Sequence, residues 1–214
     1  MFTKYGYNTM GVVFFVVFIL IVLSIFSSAN YIRFPLILIA VLLAAFTLNF
    51  FRDPERKLPE KSNIVVSPAD GRVLFVKDII DERFLNSKAK MVSIFMSPLN
   101  VHVNRIPITG RVDYLKYVGG NYIAAFEDKA SEENERNEIG ISSPAGKVLF
   151  IQIAGFIARR IVSEVKIGET VSIGNRFGMI KFGSRVDIIV PEQWQVKVKK
   201  DDNVTAGETI LFEY

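Results

Sequence analysis

"NIVVSPADGRVLFV", Asn63–Val76, sets a proline-containing turn between two runs of β-branched and aromatic residues, and its second half returns as "SPAGKVLFIQ" at Ser143–Gln152. Runs of this kind, with apolar and polar residues alternating and turn residues between them, read as short half-buried strands. The pattern continues through "MVSIFMS" (91–97), "GRVDYLKYV" (110–118), "EIGISSPAGKVLFIQIAG" (138–155), "VDIIVP" (186–191) and "WQVKVKK" (194–200). A second echo joins "VKIGETVSIG" (Val165–Gly174) to "VTAGETILFE" (Val204–Glu213). Such V-x-x-G-E turns are similar to those of lipoyl-like barrel-sandwich domains. The expectation is a mainly β domain, a compact β-sandwich or barrel. Only Ile157–Val165 has a helical look, and the acidic run Glu127–Asn137 reads as an exposed loop.

Upstream the character changes. Gly11–Ser28 and Phe34–Phe51 are uncharged apolar runs of 18 residues each. As helices they would be roughly 27 Å long, slightly under a hydrocarbon core of about 30 Å. The pair therefore predicts a hydrophobic helical hairpin that makes two short spans or dips into one leaflet. Lys4 precedes the first run, Arg52, Arg56 and Lys57 follow the second, and only Arg33 lies between them. The positive-inside rule then puts both flanks, and the domain that follows, on the cytoplasmic face of the cell membrane. The expected division is a membrane-anchoring hairpin over 1–56 and a β domain over 57–214.

Composition excludes much chemistry. The 214 residues contain no cysteine and one histidine, His102, so thiol catalysis, disulfides and multi-histidine metal centres are out and no metal is expected. The net charge of +4 suits an anionic membrane or substrate and is too small and scattered to argue for nucleic acid. The mean hydropathy of +0.30 reflects mostly the N-terminal runs.

"MIKFGSRVDIIVP", Met179–Pro191, reads as one strand interrupted by Gly183-Ser184. Glycine inside a strand usually marks a bulge or a close backbone approach. The sharper reading is a peptide bond meant to react. Among alternatives, a membrane-tethered β-barrel adaptor gives no reason for the Gly-Ser pair. A serine hydrolase using Ser184 lacks the G-x-S-x-G context.

Several stretches together, in order, decide between these readings: "NFFRDPER" (49–56), "VVSPADG" (65–71), "MSPLNVHVNRIP" (96–107), "SEENERN" (131–137), "QIAGFIARRIV" (152–162) and "IKFGSRVD" (180–187). The chain resembles the short form of phosphatidylserine decarboxylase over nearly its whole length. The resemblance implies a pyruvoyl-dependent lyase of phospholipid biosynthesis, made as a zymogen that cleaves itself between Gly183 and Ser184. A large chain, 1–183, and a small chain, 184–214, would stay associated, and the pyruvoyl group would be made from Ser184. The chemistry has its own logic. Loss of CO₂ from an amino acid leaves a carbanion that needs an electron sink, and a protein without a bound cofactor must make a ketone from its backbone. The lipid amine would form a Schiff base with that ketone.

Ser184 needs a base, and His102 is the first candidate, with Asp70 to orient it. The family's longer members carry P-x-x-x-H-x-x-H-x-P. Here Pro98 and Pro107 align, His102 is the first histidine and Arg105 stands at the second position. Either His102 serves both cleavage and decarboxylation, or cleavage relies on Asp70, backbone strain and another donor. Arg159 and Arg160 are candidates for a phosphate clamp. Arg185 and Asp187 either face the site, with Arg185 touching substrate, or form a structural ion pair. The expected partners are a phospholipid substrate and the membrane. A homo-oligomer and the same chemistry on archaetidylserine are left open.

Overall fold

The computed structural model describes residues 1–121, 123, 130–155, 160–181 and 184–214. The chain divides into two units, Met1–Glu55 and Arg56–Tyr214.

The first unit is a helical pair, α1 (Tyr7–Phe26) and α2 (Asn30–Phe50). At 20 and 21 residues they are longer than the uncharged runs alone suggest. Each is about 30 Å long at 1.5 Å per residue, close to the thickness of a hydrocarbon core. Both are long and apolar enough to cross a membrane. Ala40, Ser24 and Thr47 are buried, as are Met10, Phe50 and Phe51, whereas Phe15, Phe18, Leu38 and Leu42 are exposed. That exposure suits an apolar solvent, where large side chains gain nothing by hiding from the surroundings. The first residues close the unit: Thr3 N–H donates to the Phe51 carbonyl (3.0 Å) and Asp53 N–H to the Met1 carbonyl (2.8 Å).

The second unit is mainly β. Its strands, in chain order, are β1 (Ile64–Val66), β2 (Gly71–Asp81), β3 (Ser87–Met96), β4 (Val103–Arg105), β5 (Gly110–Val118), β6 (Arg136–Ser143), β7 (Gly146–Ala154), β8 (Ile161–Ser163), β9 (Thr170–Val171), β10 (Arg176–Ile180), β11 (Ser184–Pro191), β12 (Gln195–Val196), β13 (Asn203–Val204) and β14 (Ile210–Glu213). A curled eight-stranded sheet has the order β13-β2-β3-β11-β7-β6-β5-β9. Two three-stranded sheets, β1-β14-β12 and β4-β10-β8, accompany it. The echoed turns recur as equivalent local devices, with Gly168 and Gly207 both at positive φ, 82° and 77°, which glycine adopts without a Cβ penalty.

The large sheet is covered on both faces. Val92, Ile94, Met96, Phe150, Ala154, Val186 and Ile188 face the main core, where Ile106, Phe177, Ile180 and Leu211 join them. Phe84, Ala89, Met91, Leu149, Ile151, Ile153 and Ile189 form a second cluster on the other face. Gly71 opens β2, where a Cβ would collide with the Phe95 carbonyl oxygen.

Two local expectations are corrected. Ile161–Ser163 is a strand, not part of a helix, because it pairs with β10. The run 127–137 is not simply an exposed loop. Residues 127–129 lie outside the described residues, but Ala130–Glu133 is a helical turn, α3, and Asn134 and Asn137 are buried. Asn134 earns its burial by donating to the Ile123 and Ala154 carbonyls (2.8 and 2.7 Å).

The β2–β3 turn rests on one carboxylate. Asp81 is 1% exposed and accepts from the Phe84 and Leu85 N–H groups (3.0 and 2.9 Å) and from Arg83 Nε (2.8 Å). Burial pushes its pKa up, but the two backbone donors and Arg83 outweigh that and hold it below the ordinary carboxylate range. A depressed folded pKa gives stability that is present above the unfolded value and is lost as pH falls through the folded one. Asp81→Ala should cost about 1–3 kcal/mol at neutral pH. In denaturant titrations the gap to wild type should narrow as the pH drops below about 4.

Candidate functional site

The stretch Met179–Pro191 is two strands, not one. β10 ends at Ile180 in a three-stranded sheet and β11 begins at Ser184 in the eight-stranded one. Ser184 therefore heads the second of these strands, after the chain has left one sheet for another. Gly183 itself lies outside the described residues, as does Arg159.

β11 runs antiparallel between β3 and β7, with Ser184 opposite Met96 on one side and Ala154 on the other. Alternation along a strand sends Ser184, Val186 and Ile188 to the main core and Arg185 and Asp187 to the opposite face. Ser184 is fully buried, and its hydroxyl lies 3.3 Å from the Met96 thioether sulfur.

His102 is also fully buried, with Nδ1 3.0 Å from the Asn100 carbonyl. It immediately precedes β4, whose Val103 pairs with Met179 of β10. The histidine is thus held by the small sheet that delivers the chain toward Ser184. Asp70 lies just ahead of β2. Its Oδ2 accepts from Arg56 Nη2 (2.7 Å) and its Oδ1 from the Ala206 N–H (2.8 Å). Arg105 sends Nη1 to the Gly174 carbonyl at 2.9 Å.

Arg185 makes a buried ion pair. Its Nε donates to Asp187 Oδ1 (2.6 Å) and its Nη2 to Oδ2 (3.0 Å), and the guanidinium lies 4.7 Å from the centre of the Phe75 ring. Ser93 and Ser131 hydroxyls donate to the same carboxylate (2.6 and 2.9 Å). The pair faces away from Ser184, so of the two readings of Arg185 this geometry favours the ion pair. The partners Ser93, Ser131 and Phe75 are distant in sequence and carry no local signal. Removing one member leaves an uncompensated buried charge, so Asp187→Ala should lose about 3–5 kcal/mol in denaturant unfolding. Arg185→Met/Asp187→Leu, which removes both charges, should recover most of that loss.

Arg160 is exposed, and its carbonyl accepts the Lys181 N–H at 3.2 Å across the ends of β8 and β10. Burial pushes the Lys181 ammonium below its ordinary pKa, and the Arg160 charge pushes it further. Lys181, three residues before Ser184, was not legible as a site residue from sequence.

A row of amides was also missed. Asn137 Nδ2 donates to Gln152 Oε1 (3.1 Å), Gln152 Nε2 donates to Asn104 Oδ1 (2.9 Å), and Asn104 Nδ2 reaches the Pro68 carbonyl (3.3 Å) and the Met96 sulfur (3.8 Å). The available signal was a lone glutamine inside the apolar run "VLFIQIAG". A cavity of about 390 Å³ opens at the far end of this row, lined by Leu115, Tyr117, Asn137, Ile161, Ser163 and Val165. It lies on the Ser184 face of the sheet, since Asn137 pairs with Gln152 and Gln152 with Val186. The buried Ser163 hydroxyl on its wall has no hydrogen-bond partner among the described residues. A second cavity of about 400 Å³ lies on the opposite face, beside Lys77, Arg83, Arg136 and Asp187. Among the described residues no cluster of His, Asp and Glu could hold a metal ion.

Comparison with known proteins bears on the same residues. The family described as phosphatidylserine decarboxylase matches residues 43–212. A protein of Pelodictyon phaeoclathratiforme is 46% identical over 218 residues, covering all of both chains. One of Chlorobium phaeobacteroides is 46% identical over 214 residues, 99% of each. One of Chlorobium phaeovibrioides is 52% identical over 172 residues, 80% of this chain and 78% of the relative. All three are called phosphatidylserine decarboxylase proenzyme.

Proposed function

The chain belongs to the phosphatidylserine decarboxylase family, and we propose that it decarboxylates phosphatidylserine to phosphatidylethanolamine after cutting itself between Gly183 and Ser184. The observation that carries the reading is the buried Ser184 hydroxyl at the head of β11, directly after the point where the chain changes sheets, in a chain whose relatives are named proenzymes.

Self-cleavage balances without an outside reagent other than water. Ser184 Oγ attacks the Gly183 carbonyl carbon, its proton goes to a base, and the amide becomes an ester as the Ser184 nitrogen departs. Loss of the Ser184 Cα proton then expels the Gly183 carboxylate and leaves a dehydroalanine. Water hydrolyses the imine tautomer, ammonia leaves, and a ketone remains at the head of the small chain. His102, beside the strand leading to the cut, is the proposed base, and Asp70 supports it from the turn before β2. Arg105 stays protonated and is unsuited to take a proton.

The residues around Ser184 suit a pyruvoyl group. Full burial against Met96 and Ala154 limits competing reaction with water. When formed, the group supplies the electron sink for loss of CO₂. The chain's own residues bind and orient the lipid. Burial and the nearby Arg160 charge both disfavour the Lys181 ammonium, and a phosphodiester between the two side chains offsets that repulsion. The cavity near Asn137 and Ser163 offers two polar contacts to a head group. Arg159 is a further candidate for the phosphate. α1 and α2 are the proposed membrane anchor, and the basic residues flanking them favour the cytoplasmic side for the catalytic unit by the positive-inside rule.

Intact-mass measurement tests the cut. Wild type should give fragments 1–183 and 184–214, the smaller one blocked to N-terminal sequencing. Ser184→Ala should remain one chain and release no CO₂ from phosphatidylserine vesicles. Full activity in unprocessed protein would overturn the reading. For the phosphate contact, Lys181→Met should raise KM for vesicle-borne phosphatidylserine about tenfold, the loss of one charge-assisted contact, with kcat changed far less.

A further inference from the structure

We propose that Asn104 is the positioning residue of the self-cleavage site, its carboxamide tying together the three segments that carry Asp70, His102 and Ser184. The inference rests on the self-cleavage reading above. Asn104 lies two residues after His102, in β4. Its Nδ2 donates to the carbonyl of Pro68, two residues before Asp70 (3.3 Å), and reaches the sulfur of Met96 (3.8 Å). That sulfur is the acceptor for the Ser184 hydroxyl at 3.3 Å. Its Oδ1 accepts from Gln152 Nε2 (2.9 Å), on the strand paired with β11. One side chain thus spans β3, β4, β7 and the turn before β2.

The chemistry explains why an amide stands there. Asn104, Gln152, Met96 and Ser184 are all fully buried, and a charge in that setting would be costly. An amide supplies two donors and an acceptor without charge at any working pH. Both Asn104 donors and its acceptor are engaged, and Gln152 is in turn held by Asn137 Nδ2 (3.1 Å) and directed at the Val162 carbonyl (3.5 Å). A network satisfied at each link fixes one arrangement of the groups it joins. Methionine needs such fixing, because three rotatable bonds let its sulfur wander. Asn104 sets where the sulfur lies, and the sulfur sets where Ser184 Oγ waits. The gain is geometric: attack on the adjoining carbonyl demands near-attack placement, and a misplacement of about 1 Å costs on the order of a hundredfold.

The experiment uses the full chain and separates positioning from packing. Asn104→Leu/Gln152→Met replaces the Asn104–Gln152 pair with apolar side chains of similar size, which confines the loss to the single bond that Asn137 Nδ2 gave to Gln152, about 1–3 kcal/mol. Built also into Ser184→Ala, which cannot cut itself, it should melt within a few degrees of that parent. In the cleavable background, conversion to two fragments, followed by intact mass, should slow about ten- to a hundredfold. Hydroxylamine, which splits an ester and spares an amide, should not restore the rate, because the defect precedes the ester. Asn104→Ser, which keeps one short donor, should fall between the double variant and wild type, and it decides the matter if the double variant does not fold. Wild-type processing in the variant that folds overturns the proposal, as does a slowdown matched by a proportional loss of melting temperature, or full rescue by hydroxylamine. A wild-type chain that stays whole overturns the self-cleavage reading and this proposal together.

Discussion

The ion pair between Arg185 and Asp187 decides which way β11 faces. A strand alternates strictly, so a slip of one residue would turn its inward set outward. β11 is buried along almost its whole length on both faces, and hydrophobicity alone therefore discriminates poorly between the two settings. The two charges do so instead. Asp187 fits only where Ser93, Ser131 and Arg185 converge on it, and Arg185 only where Phe75 offers a ring face. Seating them on one face obliges Ser184 to point into the other, beside Met96. The pair adds little net stability for its burial, and its value lies in specifying the register.

From that register the site assembles by short links. β10 approaches Ser184 from a small sheet that it shares with β4, and β4 follows directly from His102. The turn before β2 is held to β4 both by Asn104 and by the Arg105 N–H, which donates to the Pro68 carbonyl at 2.9 Å. The elements come from residues far apart in the chain, and backbone ladders with a few buried polar side chains hold them in place. The apolar helical pair is a separate unit with its own logic, in which many large apolar side chains lie exposed along both helices.

The β class and the helical pair were legible in the sequence because each leaves a local mark, and Ser184 was singled out on a mark of the same kind. Alternation marks strands, long uncharged runs mark the helices, and a Gly-Ser pair interrupts an otherwise strand-like stretch. The family resemblance rested on such marks in order. What the sequence hid is whatever depends on pairing. "MIKFGSRVDIIVP" looks like one strand because nothing local says that its halves join different sheets. Ile161–Ser163 looks helical until β10 claims it. Asn104 and Gln152 look like ordinary polar residues until the fold buries them side by side. Lys181 looks like a solvated lysine until the ends of β8 and β10 bring Arg160 beside it.

The strands beyond residue 183 are interleaved with those before it. β11 lies between β3 and β7, β13 adds to the edge of β2, and β14 sits between β1 and β12. A chain cut before Ser184 has thus folded as one molecule into an arrangement that its two pieces could regain only by finding each other. Heat or denaturant would then turn a reversible unimolecular event into a bimolecular search in competition with aggregation. Longevity in the finished enzyme would rest on the height of the barrier to unfolding and not on an equilibrium, much as in a protease severed from its pro-segment.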